Sequence, residues 1–216
     1  MIFVETIGVS GFEGAIRSMR NPLNSWDKSD SYACDTQYCA NCLDASICDG
    51  TRFHIGKDDL ELCKKLIKAG PDHRKFLRMI HAQFNVIAPL YWEKEADTYK
   101  VATVCNSCST MHTIHKKEFH ISDFSHSQLN DDDGAITSLM FTVSTLNHLR
   151  EKYLETKDKK YWYMIIQLLP SSYNQKRTYD MNYETLMNIY YQRRNHKLDE
   201  WKDFCMWIKT FPYMMD

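Results

Sequence analysis

The chain has 216 residues, 44% hydrophobic and 13% aromatic, enough for a substantial core in one domain or one domain with a small appendage. Seven Gly and five Pro argue against a disordered or fibrous chain, and a net charge of −1 gives bulk electrostatics no preference for duplex nucleic acid or an acidic membrane surface. With no apolar run near the ~20 residues that span a bilayer and no signal-peptide pattern at Met1-Ile2-Phe3-Val4-Glu5-Thr6, a cytoplasmic protein is expected, its eight Cys serving as thiols or metal ligands.

Residues 2–8 alternate apolar and polar, as a half-buried strand does. Phe12, Ala15, Ile16 and Met19 recur at helical spacing, and Pro22 ends that helix. Residues 25–51 form a polar, Asp- and Cys-rich insertion without a period. Leu60, Cys63, Leu66 and Ile67 mark an amphipathic helix that Gly70-Pro71 stops. Residues 79–90 read as a long strand with His81, Gln83 and Asn85 on one face, and 118–134 as loop.

Leu139, Val143, Leu146, Leu149 and Tyr153 predict a helix over 136–154, and a second apolar helix follows over 159–169. Pro170 then opens a polar loop over 171–178. A helix starting at Asn182 carries Tyr183, Leu186, Met187 and Tyr190 on one side, and the last helix carries Trp201, Phe204, Cys205 and Ile208. No internal repeat is present. Early strands and late helices predict one α+β domain over 1–216, with helices packed on a central sheet and the Cys-rich insertion at about 25–51.

Four stretches carry chemistry. Cys34-x4-Cys39-x2-Cys42-x5-Cys48 places four thiolates within fifteen residues, a set that suits tetrahedral zinc at about 2.3 Å per Zn–S bond. An iron–sulfur cluster and free thiols stay open as alternatives. Cys105 and Cys108 form a second Cys-x2-Cys; with no clear helix after it, it reads as buried or semi-buried small residues near a pocket rather than a redox dithiol. Ser107, Ser109, Thr110, His112 and His115 offer hydroxyl and imidazole hydrogen bonds but lack the orienting carboxylate of a hydrolase. The polar loop gathers Ser171, Ser172, Gln175, Lys176 and Arg177, donors that suit a phosphate. Arg193, Arg194, His196 and Lys197 lie at the far end of the following helix, where cations also offset the helix dipole by about 0.3–1 kcal/mol each.

The ordered run Phe84-Asn85-Val86-Ile87-Ala88-Pro89, Leu169-Pro170, Asn182, Leu186-Met187-Asn188 and Arg193 resembles the flavin-dependent thymidylate synthases. The resemblance implies that family's fold and a homo-oligomer, a tetramer in the family. It also implies a dUMP-like nucleotide bound by Ser171, Ser172, Gln175, Lys176, Arg177, Arg193, Ser107 and Ser109. FAD would be approached by Asn188, Tyr91 and Lys100, relaying hydride from a nicotinamide cofactor while a folate supplies methylene. Where the family carries Arg-His-Arg this chain has Thr98-Tyr99-Lys100, and Ile166 and Gln167 stand where a basic residue precedes the Leu-Pro. One cation in place of two arginines predicts weak flavin binding. Two functions follow: a divergent synthase-like nucleotide binder, or a non-catalytic protein that sequesters a nucleotide or binds a protein partner on the same fold.

Overall fold

Alternation and helical spacing become elements in the expected order. The structure, a computed structural model, describes residues 2–34 and 53–214. In chain order the strands are β1 (Phe3–Ser10), β2 (Tyr32–Ala33), β3 (Phe53–His54), β4 (His81–Pro89), β5 (Thr103–Ser107) and β6 (Asn174–Asn182). The helices are α1 (Phe12–Arg20), α2 (Lys57–Ala69), α3 (Leu90–Ala96), α4 (Thr110–Thr113), α5 (Asp133–Thr156), α6 (Lys159–Leu168), α7 (Tyr183–Arg193) and α8 (Asp199–Ile208). A four-stranded sheet has the order β1-β4-β6-β5, and β2 pairs antiparallel with β3. No described helix is long and apolar enough to cross a membrane.

Contacts divide the chain into two compact units. The first holds Met1–Phe3, Val86–Thr98 and Asn106–Thr178; the second holds Val4–Asn85, Tyr99–Cys105 and Tyr179–Asp216.

The second unit is built on aromatic packing. Phe84 of β4 stacks on Tyr179 of β6 at 5.6 Å and meets Phe204 and Trp207 of α8 at 5.9 and 4.5 Å. Phe12 of α1 stands edge-on to Tyr183 of α7 at 5.7 Å. Gly11 precedes α1 at φ 93°, where a Cβ would lie 2.0 Å from the Met79 carbonyl oxygen, so only glycine fits that start. His81 and Gln83 share a sheet face as expected, and both hydrogen-bond Asp180, at 2.8 and 3.0 Å.

A buried ion pair ties the early part of this unit together. Asp59 is fully buried and takes Arg20 Nε at 2.6 Å, with Ser29 and Ser31 Oγ donating to its other oxygen at 2.6 Å each. Asp30 accepts from the Asp58 and Asp59 N–H groups and so satisfies donors that the first turn of α2 leaves open. Residues 29–31 are thereby fastened to α2, and the Tyr32↔His54 and Ala33↔Phe53 pairs close the stem from which the Cys-rich insertion departs. Cys34 is half-buried; Cys39, Cys42 and Cys48 lie outside the described residues.

In the first unit, α5 and α6 form a helical hairpin. Lys157, at φ 57°, ends α5, and Asp158 Oδ1 accepts from Lys160 N–H to start α6. Their apolar sides enclose Leu139, Val143, Leu146 and Ile165 with Ile114, Phe119 and Phe124.

Two expectations are corrected. The span 171–178 is not all loop: strand β6 begins at Asn174. Cys105 and Cys108 are exposed rather than buried, since β5 shows solvent most of its length and α4 follows Cys108 within two residues.

Asp59→Ala leaves the Arg20 guanidinium buried without its carboxylate. It is expected to cost about 3–5 kcal/mol, lowering the thermal midpoint by on the order of 10 °C. Calorimetric melting checks this, and an unchanged midpoint would show that the pair contributes nothing.

Candidate functional site

The first unit contains a cavity of about 800 Å³ between the end of β4, the segment from Cys108 to Asp123, and the start of β6. Its shape is set by backbone bonds. Cys108 N–H donates to the Lys176 carbonyl at 2.9 Å, and Gln175 Nε2 donates to the Cys108 carbonyl at 2.6 Å, so the exit of β5 is held against β6. Ser109 Oγ accepts from His112 N–H at 3.0 Å and caps α4, which turns the chain along the cavity wall.

The charge in the wall is mixed but positive. Lys116, Lys117 and Lys176 line the cavity together with Glu118 and Asp123, and the Asp123 carboxylate is engaged by the His120 N–H at 2.8 Å. Tyr173 supplies an aromatic wall, standing edge-on to Phe119 and Phe124 at 6.3 and 5.6 Å. Burial, and then its neighbours Asp123 and Cys108, push its phenol up from the ordinary range, so it stays a neutral donor at neutral pH. Asn174 Oδ1 is sealed from solvent with no hydrogen-bond partner among the described residues.

Three of the residues expected to bind the nucleotide line this cavity, Ser109, Gln175 and Lys176, and Cys108 and Thr110 line it beside them. Arg177 does not. Its Nη1 donates to Asp97 at 2.6 Å, its Nε donates to Gln175 Oε1 at 2.9 Å, and Glu93 lies 3.3 Å from the same Nε. The Arg177 side chain is 13% exposed and that of Glu93 1%, so this cation is spent inside the fold. Ser171 and Ser172 act through their carbonyls, which accept from Tyr91 N–H at 3.0 Å and Ser125 N–H at 2.8 Å. The turn they form satisfies the open N-terminus of α3. Tyr91 donates to Ser125 Oγ at 3.3 Å, Trp92 is buried, and Ser107 is exposed on β5.

Lys100, Asn188 and Arg193 belong to the second unit. Arg193 Nε donates to Tyr99 Oη at 2.7 Å, and its guanidinium lies 4.7 Å from the Trp201 ring centre, a cation–π contact. Asn188 Oδ1 accepts from Arg74, which pairs with Glu184 at 2.9 Å, and Lys100 is exposed. Sequence reasoning missed Lys116 and Lys117 as cavity residues; no periodicity singles out cations in an irregular segment. His112 and His115 line a separate cavity of about 390 Å³ with Lys157 and Trp162. Among the described residues no group of three His, Cys, Asp or Glu gathers as a metal site.

No family model matches the chain, and no curated protein matches it. Solved structures do. The flavin-dependent thymidylate synthase ThyX of Helicobacter pylori, complexed with FAD and dUMP, is 18% identical, with a TM-score of 0.68 over 99% of this chain and 97% of that one. A second structure of that enzyme with FAD and dUMP is 16% identical, with a TM-score of 0.67 and full coverage of both chains. At such identity the likeness is one of fold. The chain has the α+β architecture of the flavin-dependent thymidylate synthases.

Two outcomes follow from the geometry. Arg177→Ala strands the buried Glu93 carboxylate and is expected to lower stability by about 3–5 kcal/mol, whereas Lys176→Ala should stay within about 0.5 kcal/mol. Urea midpoints check the contrast, which fails if the two variants unfold alike. His115 is held below the usual histidine range by burial, then by Lys116, Lys157 and Arg150. A depressed folded pKa means that the unfolded chain binds the proton more readily. This contribution to stability is therefore complete above about pH 6.5 and is lost as pH falls through the folded pKa. An NMR titration of His115 at or above the ordinary value would contradict it.

Proposed function

We propose that the cavity of the first unit binds an anionic nucleotide of the dUMP kind. The observation that carries this is the presence of Lys116, Lys117 and Lys176 in the lining of a space of about 800 Å³ that also has Tyr173, Asn174 and Gln175 in its wall and where three lysines outnumber the carboxylates of Glu118 and Asp123. Ammonium groups suit a phosphate, and the flat apolar wall at Tyr173 suits a base. The presence of dUMP in both Helicobacter pylori structures of like fold supports the same reading.

Ser109, Gln175 and Lys176 are the sequence-predicted residues kept in this role, with Lys116 and Lys117 added. Gln175 serves by fixing the wall, because both ends of its amide are already bonded. Ser171, Ser172 and Arg177 shape the unit around the cavity, and Arg193 is placed by resemblance alone.

Flavin fits poorly. At the three positions where the family carries Arg-His-Arg, Thr98 Oγ1 donates to the Glu95 carbonyl at 2.7 Å, the Tyr99 hydroxyl is bonded to Arg193, and Lys100 alone is cationic. Neither arginine is replaced, so the proposal rests on nucleotide binding and includes no flavin-dependent step. Zinc is a separate expectation: the four thiols Cys34, Cys39, Cys42 and Cys48 are the donor set it takes, and their stem is held by Asp59. Homo-oligomerisation, implied by the resemblance, finds physical support in exposed Met140 and Phe141 on α5 and exposed Tyr163 and Met164 on α6.

Calorimetry is expected to show dUMP binding that weakens as salt rises. Alanine at Lys116, Lys117 or Lys176 should each cost about tenfold in affinity, at roughly 1.5 kcal/mol per charge-assisted bond. Absence of binding across uridine, thymidine and adenine nucleotides would end the proposal. Freshly purified protein is expected to carry one zinc per chain, to lack stoichiometric flavin and to sediment as an oligomer. Elemental analysis, the visible spectrum and ultracentrifugation read the three separately, and a yellow protein would restore the synthase chemistry.

A further inference from the structure

A second cavity of the first unit, about 390 Å³, is lined by His112 of α4 and His115 just beyond it, Tyr153 of α5, Lys157 in the turn after it, and Lys159 and Trp162 of α6. None of these residues lines the larger cavity. Bonds made elsewhere fix the walls. Trp162 Nε1 donates to the Met111 carbonyl at 3.0 Å, Arg150 Nε donates to the His115 carbonyl at 3.0 Å, and the His115 ring stands edge-on to Tyr153 at 4.9 Å. Two ammonium groups and two imidazoles thus share one space, and none of the described residues that line it is acidic. Asp158, between the two lysines in sequence, is engaged by Lys160 instead: its Oδ2 lies 3.0 Å from Lys160 Nζ, and its Oδ1 accepts from the Lys160 N–H at 2.9 Å. Lys159 Nζ lies 5.2 Å from the Tyr163 ring centre, a contact that brings no negative charge.

The charged groups set against His115 are cations on every side: Lys116 on its own segment, Arg150 of α5, Lys157 of the turn, and Lys159 of α6 in the same lining. His112 and Tyr153 are its other titratable neighbours. Burial first, then Lys116, Lys157 and Arg150, make the His115 ring hold a proton less tightly than usual. Like charges kept together by the fold are relieved by a counter-ion, and four nitrogen-bearing side chains around one small space suit a compact dianion. We propose that this cavity is a second anion site, taking a free tetrahedral oxyanion of the phosphate or sulfate kind between Lys157, Lys159 and the two imidazoles, and that the anion brings a proton onto His115. Binding therefore tightens as pH falls, because the protonated ring is the better partner.

The test follows the His115 ring by NMR through a pH titration in sodium sulfate and in sodium chloride of equal ionic strength. Screening is then the same in both, and sulfate stays doubly charged wherever histidine titrates. The His115 midpoint is expected about one pH unit higher in sulfate, the size that a nearby opposite charge produces. By linkage, sulfate should bind about tenfold more tightly below both midpoints than above them. Removing both ammonium groups, with Lys157→Gln and Lys159→Gln together, should abolish the difference between the salts. Lys117→Gln with Lys176→Gln, in the larger cavity, should leave it. Lys157 and Lys159 are exposed, so the fold should hold, and either single variant, expected to keep about half the effect, reads the same quantity if the double variant melts early. Equal midpoints in the two salts overturn the site, and so does a sulfate effect that survives the loss of Lys157 and Lys159 or vanishes with Lys117 and Lys176.

Discussion

A guanidinium held between two carboxylates and a carboxamide sets the form of the first unit. Taking Arg177 and Glu93 out of water costs several kcal/mol per ion, which is offset only when geometry and hydrogen bonds are close to complete. On the arginine side Asp97 and Gln175 take two donors and Glu93 Oε2 lies 3.3 Å from one of them, while Glu93 Oε1 is buried without a hydrogen bond among the described residues. Gln175, pinned at its oxygen, points its nitrogen at the Cys108 carbonyl, and that bond fixes where β5 ends and α4 begins. The cavity wall is therefore positioned by a charge cluster that does not line it.

That cluster also explains why part of the chain was misread. Gln175, Arg177, Tyr179 and Met181 alternate along β6, yet the first two are polar, and polar residues on an inward face hide the period-two signal. The loop expectation followed from composition; the strand follows from partners far away in sequence, Glu93 and Asp97. Elements whose buried sides are apolar were legible. The period over 79–90 gives β4, Leu139 through Tyr153 lie within α5, and Asn182 caps α7 by accepting from Thr185 N–H. Lys116 and Lys117 sit where no period exists, and nothing local distinguishes a cation that faces a cavity from one that faces water.

The fold itself was legible by another route. An ordered set of short matches pointed to the flavin-dependent thymidylate synthases although no family model matches, and the structural likeness at 16–18% identity bears out the fold. Such matches survive because they mark backbone needs: Pro170 opens the turn that closes the N-terminus of α3, and Asn182 is an N-cap. Site chemistry has no such protection. Thr98, Tyr99 and Lys100 present other side chains than the Arg-His-Arg that the resemblance leads one to expect there.

The change at those positions is one of polarity as well as of charge count. Tyr99 offers an oxygen to Arg193 Nε and donates its own proton to Gln192 Oε1 at 3.0 Å, so a place expected to hold cations here receives one. With Trp201 beneath the same guanidinium, Arg193 is stabilised as part of the α7–α8 pair. Lys116, Lys117 and Lys176 instead line a cavity with an aromatic wall. On the proposed reading a phosphate binds there without the arginine pair that a dinucleotide cofactor would need. If that reading holds, affinity for a small nucleotide and affinity for flavin are set by different residues on one backbone, and the first can persist when the second is lost.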